Sequence, residues 1–412
     1  METIYPRCAG RDVHKATVVA CIRLAEPTGR ARDLVRTFGT MTGERRALAD
    51  WLAAHGVTHV AMESTGVYWK PVFNLLEERF TVLLVHPRHI TQVPGRKTDV
   101  TDSQWIAQLL QHGLLHGSFV PPRPIRELRD LTRQRSQLIA AKAAVANRIQ
   151  KVLEDANIKL GSVATDVLGA SGRALIRALI DGCEDPGQLA ELARRRLRQK
   201  LPALRLALQG QVRAHHRFLL RMLMEHLEGL ERLIGQLSRR IEEATAPWAA
   251  GIARLVTIPG IDRRTAEVLL AEIGPDMGPF PSAGHLASWA GMSPGNHQSG
   301  GKRRAGHPTQ GDRWLRAVLT PAAWAASHTK GTYLAAQFRR LAGHRGKKRA
   351  LVAVGHTLLT IVYQVLKRGT SDQELGADYL ARLDPERTKR GLVKRLEQLG
   401  YKVTLEPRPE AA

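Results

Sequence analysis

Four acids, two of them at the ends of apolar runs and two as a close pair, stand out in a chain whose formal net charge is +24. Asp12 and Glu63 each close an apolar run, and Asp99 and Asp102 lie three apart in Lys97-Thr98-Asp99-Val100-Thr101-Asp102. Residues at i and i+3 share one face of a helix, so both carboxylates of the pair can aim at one point. The same spacing also describes a capped helix, with Asp99 as cap and Asp102 as third residue. Gathering all four acids needs a counter-charge, because two like charges ~4 Å apart repel by ~4 kcal/mol at an effective dielectric of 20. Carboxylate oxygens with no Cys or His among them favour Mg²⁺ or Mn²⁺ over zinc. Two such ions about 3.5 to 4 Å apart serve phosphoryl transfer, so the pattern suits an enzyme that cuts a polyanion.

The surrounding pattern predicts a fold that would bring the acids together. Alternating β-branched and apolar residues between turn residues predict strands near 5–12, 16–24 and 33–40. A helix at 43–55, a strand at 57–63, a helix at 66–79, a strand at 81–85 and a helix at 99–112 follow. The order βββαβαβ, closed by a helix, is that of an α/β ribonuclease H-like domain. In it Asp12 and Glu63 lie at strand ends and the Asp pair opens the last helix. Ligands gather at the carboxyl ends of strands in α/β sheets.

The surplus of Lys and Arg over acids is 3 in residues 1–120, 9 in 121–245, 12 in 246–370 and 0 in 371–412. The acids of interest therefore sit in the first segment and the positive field in the next two, as suits a partner with a phosphate backbone. Solvated Arg-rich faces give the same count. Three cysteines without Cys-x-x-Cys spacing argue against a disulfide framework and for a reducing compartment. No apolar run approaches the roughly 18 residues that span a membrane, and no signal-peptide pattern opens the chain, so the expectation is a soluble cytoplasmic protein.

Beyond Pro121-Pro122-Arg123-Pro124, helical periodicity runs over 125–157, with Leu128, Leu131, Leu138, Val145, Ile149 and Val152 interrupted by Arg135 and Lys142. A second run covers 208–245, with Leu219, Leu223, Leu230, Leu233 and Leu237 on one stripe. These pair either as an internal antiparallel hairpin or as a coiled-coil arm between subunits. Between them Arg194, Arg195 and Arg196 open a basic run that is either a solvated face or a phosphate contact. The third segment begins with Ile258-Pro259-Gly260-Ile261-Asp262-Arg263-Arg264 before a helix. That is a helix-hairpin-helix turn able to hold a phosphate, or a Pro-Gly turn joining two packed helices. In Gln298-Ser299-Gly300-Gly301-Lys302-Arg303-Arg304, a hydroxyl precedes three cations. It reads as a nucleophile beside a phosphate patch or as a basic hairpin.

The segments around Asp12, Glu63, Asp99 and Asp102, together with Ile258-Pro259-Gly260-Ile261 and Gln298-Ser299-Gly300, resemble in order the motifs of DEDD insertion-sequence transposases of the IS110 class, over roughly residues 5–370. Arg11 departs from the apolar residue usual before the first Asp. The resemblance implies a RuvC-like catalytic domain over 1–120, a helical arm with a basic insertion over 121–245, and a mainly α, serine-bearing transposase domain over 246–370. It leaves a C-terminal extension, 371–412, to which we assign no chemistry. It further implies that Asp12, Glu63, Asp99 and Asp102 hold Mg²⁺ and that Ser299 attacks DNA and becomes transiently linked to it. Also implied are a bridge RNA that pairs with donor and target DNA, and a dimer or tetramer with sites shared between subunits, in a bacterial cytoplasm at the nucleoid. Lys97, Arg194, Arg195, Arg196, Gly260, Arg263, Arg264, Lys302, Arg303 and Arg304 are the expected nucleic-acid contacts. Two other readings stand beside this one: a junction-resolving nuclease that uses water, and a non-catalytic nucleic-acid scaffold.

Overall fold

The computed structural model describes residues 2–26, 30–64, 66–87, 99–293, 297–304 and 310–406, and of 297–299, 303–304 and 387 the backbone alone. The chain divides into two compact units, Met1–Val120 and Pro121–Ala412.

The first unit runs β1 (Arg7–Val13), β2 (Thr17–Ala25), β3 (Ala31–Gly39), α1 (Thr42–Ala54), β4 (His59–Glu63), α2 (Trp69–Leu76), β5 (Thr81–Val85) and α3 (Asp99–Gln111). Its sheet has the order β3-β2-β1-β4-β5, antiparallel through the β1–β2–β3 meander and parallel across β1–β4–β5. The expected helix over 66–79 is shorter, because residues 66–68 and 77–79 are turns flanking α2. One face of the sheet packs Ala9, Val13, Val60 and Met62 against Leu48 and Leu52 of α1 and Val72 and Phe73 of α2. The other packs Cys8, Ala61 and Val85 against Ile106 and Leu110 of α3. Both buried thiols of the sheet, Cys8 and Cys21, are pushed up to about 12 by that burial.

The second unit opens with α4 (Arg123–Asp155), and after α5 (Leu160–Val163), α6 (Ala170–Ile180), α7 (Pro186–Glu191) and α8 (Leu201–Ala207) the chain returns along α9 (Ala214–Thr245). Ion pairs Lys142–Glu231 and Asp155–His216 set α4 and α9 antiparallel. The inserted helices cap the far end of the pair, sharing one core with it through Leu175, Leu189 and Leu204. The stripe expected on α9 holds only in part, with Leu230 buried and Leu223 packed against the core. Leu219 and Leu233 are exposed, whereas His216, Leu220, Met224, Leu227 and Leu230 are buried. Arg135 does not interrupt the buried stripe of α4 either. It is buried and paired at 2.7 Å with Glu267 of α11 (Arg263–Ile273).

The remainder is α10 (Ala249–Val256), α11, α12 (Ala283–Trp289), a hairpin of β6 (His297–Ser299) and β7 (Lys302–Arg304), α13 (Arg313–His328), α14 (Tyr333–Arg345), α15 (Lys347–Arg368), α16 (Tyr379–Leu383) and α17 (Pro385–Gln398). Contrary to expectation, one helix among the described residues is, by length and composition, apolar enough to cross a membrane: α15. It packs against α10, α12, α13 and α14, with Val354, Leu358, Leu359 and Val362 buried. Four charges tie α4 to this bundle. Arg133 donates twice to the fully buried Glu272 of α11, at 2.8 and 2.7 Å, and approaches Asp312 at 3.4 Å, while Arg129 lies 3.1 Å from Glu272.

Candidate active site

Gly10 decides where Asp12 and Asp99 meet. A Cβ there would stand 2.2 Å from the Ala107 amide nitrogen and 2.3 Å from the Ser103 carbonyl oxygen, so only glycine lets α3 rest directly on β1. Asp12 lies two residues further along the same face of the strand. Asp99 and Asp102 lie within the turn of α3 that precedes Ser103, which brings the first turn of α3 to the carboxyl end of β1. The neighbouring parallel strand supplies Glu63. The last β1–β4 pair is Arg11 with Met62, so Asp12 and Glu63 each stand one residue beyond it, at the same level of the sheet.

Asp12 is buried, and its carboxyl is pushed above the ordinary range, first by burial and further by the charges of Asp99 and Asp102, against a lowering influence of His14. The Nε2 of His14 lies 3.1 Å from Asp12 Oδ2 and 3.4 Å from Asp99 Oδ1. This corrects the expectation of an all-carboxylate group: an imidazole stands between two of the acids. Its signal was available, since His14 follows Asp12 by two residues at the end of a strand and so continues the same face. Asp12, His14 and Asp99 converge closely enough to share one ion. Hard oxygen donors, one of them buried and repelled by two like charges, are the donor set a divalent cation neutralises. A second cluster, Asp155, His215 and His216, differs in kind. There His216 Nδ1 accepts the Arg213 backbone N–H at 3.1 Å and Nε2 bonds Asp155 at 2.8 Å, so the ring is spent capping α9.

The other expected positions fall as follows. Lys97 lies outside the described residues. Ser299 ends β6 and pairs across the sheet with Lys302, through a turn whose residues Gly300 and Gly301 have φ of 56° and 73°. Positive φ at both central residues marks a type I′ turn, which glycine alone adopts freely. The side chains of Ser299, Arg303 and Arg304 lie outside the described residues, and Lys302 is exposed. Gly260, at φ 88°, fits where a Cβ would come within 2.4 Å of the Ala322 carbonyl oxygen, so its lack of a side chain serves the packing of the turn on α13. Arg263 pairs with Glu242 and Glu267, and Arg264 is exposed. Arg194, Arg195 and Arg196 are exposed at the cap of the arm.

Two family models match this chain: a DEDD transposase model of the IS110 type over residues 9–158, and the transposase IS116/IS110/IS902 family over residues 252–339. A probable family 20 transposase of Pseudomonas aeruginosa is 28% identical over 320 residues, 76% of this chain and 84% of that protein. A pilin gene-inverting protein of Moraxella bovis is 40% identical over 119 residues, 28% of this chain and 36% of that protein. A 43.6 kDa protein of insertion element IS110 from Streptomyces coelicolor is 32% identical over 117 residues, 28% of this chain and 29% of that protein. The first match takes in the mixed-sheet unit that carries the acids and the second takes in the β6–β7 hairpin; the chain belongs to the IS110 family of DEDD transposases, enzymes that recombine DNA.

Proposed function

We propose that this transposase cuts, exchanges and rejoins DNA strands with Ser299 as nucleophile, at a site completed by Asp12, Glu63, Asp99 and Asp102 of a ribonuclease H-like, RuvC-like domain. The observation that carries the reading is the convergence of Asp12 and Asp99 on a single point, with Asp102 repelling Asp12. Asp12, Glu63, Asp99 and Asp102 would hold Mg²⁺ or Mn²⁺, two ions per site, and the metal would supply positive charge to the scissile phosphate. Burial of Asp12 excludes water from one side, and His14, 3.1 Å from Asp12 and 3.4 Å from Asp99, would have to turn aside for both carboxylates to ligate an ion. Attack of the Ser299 oxygen on phosphorus breaks the bond to the leaving DNA oxygen and joins the strand to the serine. The incoming DNA hydroxyl then attacks that phosphoserine link and releases Ser299, so the bond is exchanged and not hydrolysed.

In this reading the serine comes from one subunit and the acids from another, within a dimer or tetramer. Base choice is delegated to a guide RNA encoded by the element, which pairs with donor and target DNA, while the protein's cations hold backbones. The enzyme works in the bacterial cytoplasm, at the nucleoid. The pilin gene-inverting relative, named for rearranging DNA, supports the recombination reading. Variants separate it from a nuclease that uses water. On supercoiled donor with target and guide, Ser299→Ala abolishes recombination and the denaturation-stable protein–DNA adduct, while Asp102→Asn abolishes both and leaves DNA binding. Cleavage that persists in Ser299→Ala would assign the chemistry to water.

A further inference from the structure

The cap of the arm gathers several cations around a cavity. A turn of 3₁₀ helix, Arg195–Lys200, faces the segment that leads into α6 across an open cavity of about 850 Å³. Arg194, Arg195, Arg196 and Lys200 line it together with Thr165 and Ser171. Nearby Arg198 and Arg205 are both held by Glu191. Among the described residues Arg194, Arg195 and Arg196 have no such partner. The Arg194 backbone N–H donates to Ser171 Oγ at 2.9 Å, which fastens the basic turn to the first turn of α6. That eleven-residue helix begins at Ala170, and Gly169 before it offers no side chain to cap it, so its first N–H groups add to the positive wall. The single acid in the lining, Asp166, is engaged by the Leu168 backbone N–H at 3.0 Å.

We propose that this cavity seats the phosphodiester backbone of a nucleic-acid strand, away from the acids of the first unit in sequence and without any part in the chemistry. The proposal rests on the reading that the protein acts on nucleic acid. Its volume falls within the roughly 300–1,000 Å³ of pockets that take small ligands, enough for a nucleotide or two. No aromatic side chain lines it, so it grips phosphate and does not stack bases. Guanidinium forks and hydroxyl groups are the donors that phosphate oxygens accept from.

The test is anisotropy titration of the full chain in EDTA, across several salt concentrations, with three labelled polymers of one sequence: single-stranded RNA, single-stranded DNA and duplex DNA. Arg194→Gln/Arg196→Gln is expected to weaken binding of at least one polymer about tenfold and to flatten the slope of log K against log salt by about 2. The polymer affected identifies the strand. Arg177→Gln/Arg205→Gln removes the same charge from paired positions and is expected to retain affinity. Unchanged binding of all three polymers by the first variant overturns the site, as does an equal loss in both variants, which would make the effect one of bulk charge. If the unsubstituted chain binds none of the polymers, the reading on which the site rests fails instead. If it binds and recombines but is indifferent to the first variant, only the arm site fails.

Discussion

Gly10 and Ala107 lie so close that a Cβ on the glycine would stand 2.2 Å from the Ala107 amide nitrogen. This contact holds α3 flat on β1 and so delivers Asp99 and Asp102 to the end of the strand that carries Asp12. Gly10→Ala must push the helix away. We expect a fall in thermal midpoint and the loss of strand transfer, measured by calorimetry and by a recombination assay. A variant with native stability and activity would show that α3 is free to move without consequence.

Asp12 is buried beside two like charges, and its carboxyl stands above the ordinary range. In the absence of metal its folded-state pKa exceeds its unfolded one, so its contribution to stability is present at low pH and is lost as pH rises through the raised value. A bound divalent ion reverses the balance, because it binds the deprotonated form. Asp12→Asn should therefore be at least as stable as the unsubstituted protein in EDTA at neutral pH. It should also lose the rise in thermal midpoint that Mg²⁺ or Mn²⁺ produces in the latter. A destabilised Asn variant in EDTA would contradict the repulsion argued for this site.

Arg11 points away from the acids, into the apolar layer between the sheet and α1 and α2. It is fully buried, and its guanidinium nitrogens have no hydrogen-bond partner among the described residues. Burial pushes it down to about 9, which leaves it charged at neutral pH. Replacing an uncompensated buried cation by an apolar side chain of similar length removes a desolvation cost. Arg11→Met should raise stability by about 1 to 4 kcal/mol, read from denaturant midpoints at constant m-value. A loss of stability would mean that a partner is made in solution.

Glu272 is the reverse case, an acid with no exposure that satisfies Arg129 and Arg133. Removing it takes the carboxylate partner from Arg129, which keeps only backbone carbonyls, and leaves Arg133 with Asp312 alone at 3.4 Å. Glu272→Ala should cost about 3 to 5 kcal/mol. The double variant Glu272→Ala/Arg133→Leu should recover part of that, which a double-mutant cycle measures.

The first unit was legible because its strands alternate and its helices are short and bounded by turns; the order of eight elements and the positions of Asp12 and Glu63 at strand ends follow from period alone. The arm was legible as two helices, but its buried face was not. On α9 the stripe of five leucines is right at Leu230 and Leu223, which pack on the core, and wrong at Leu219 and Leu233, whose places are taken by His216, Leu220, Met224 and Leu227. Buried charges are hidden in a sequence for a physical reason. Arg135, Glu267 and Glu272 look like a solvated face until the partner from a distant helix is known. His14 was missed as a member of the acid cluster because the first strand was expected to end at Asp12, two residues short of it, although the alternation of that strand carries on to His14.

The account depends most on the acids of the first unit sharing divalent ions. Diffraction from crystals soaked in Mn²⁺, collected at the manganese edge, tests this directly. We expect anomalous density flanked by Asp12, Asp99 and Asp102 at about 2.1 to 2.2 Å from their oxygens, with the His14 ring displaced, and no such density in Asp102→Asn. Density confined to Asp155, His215 and His216, or none beside Asp12 at saturating metal, would contradict it.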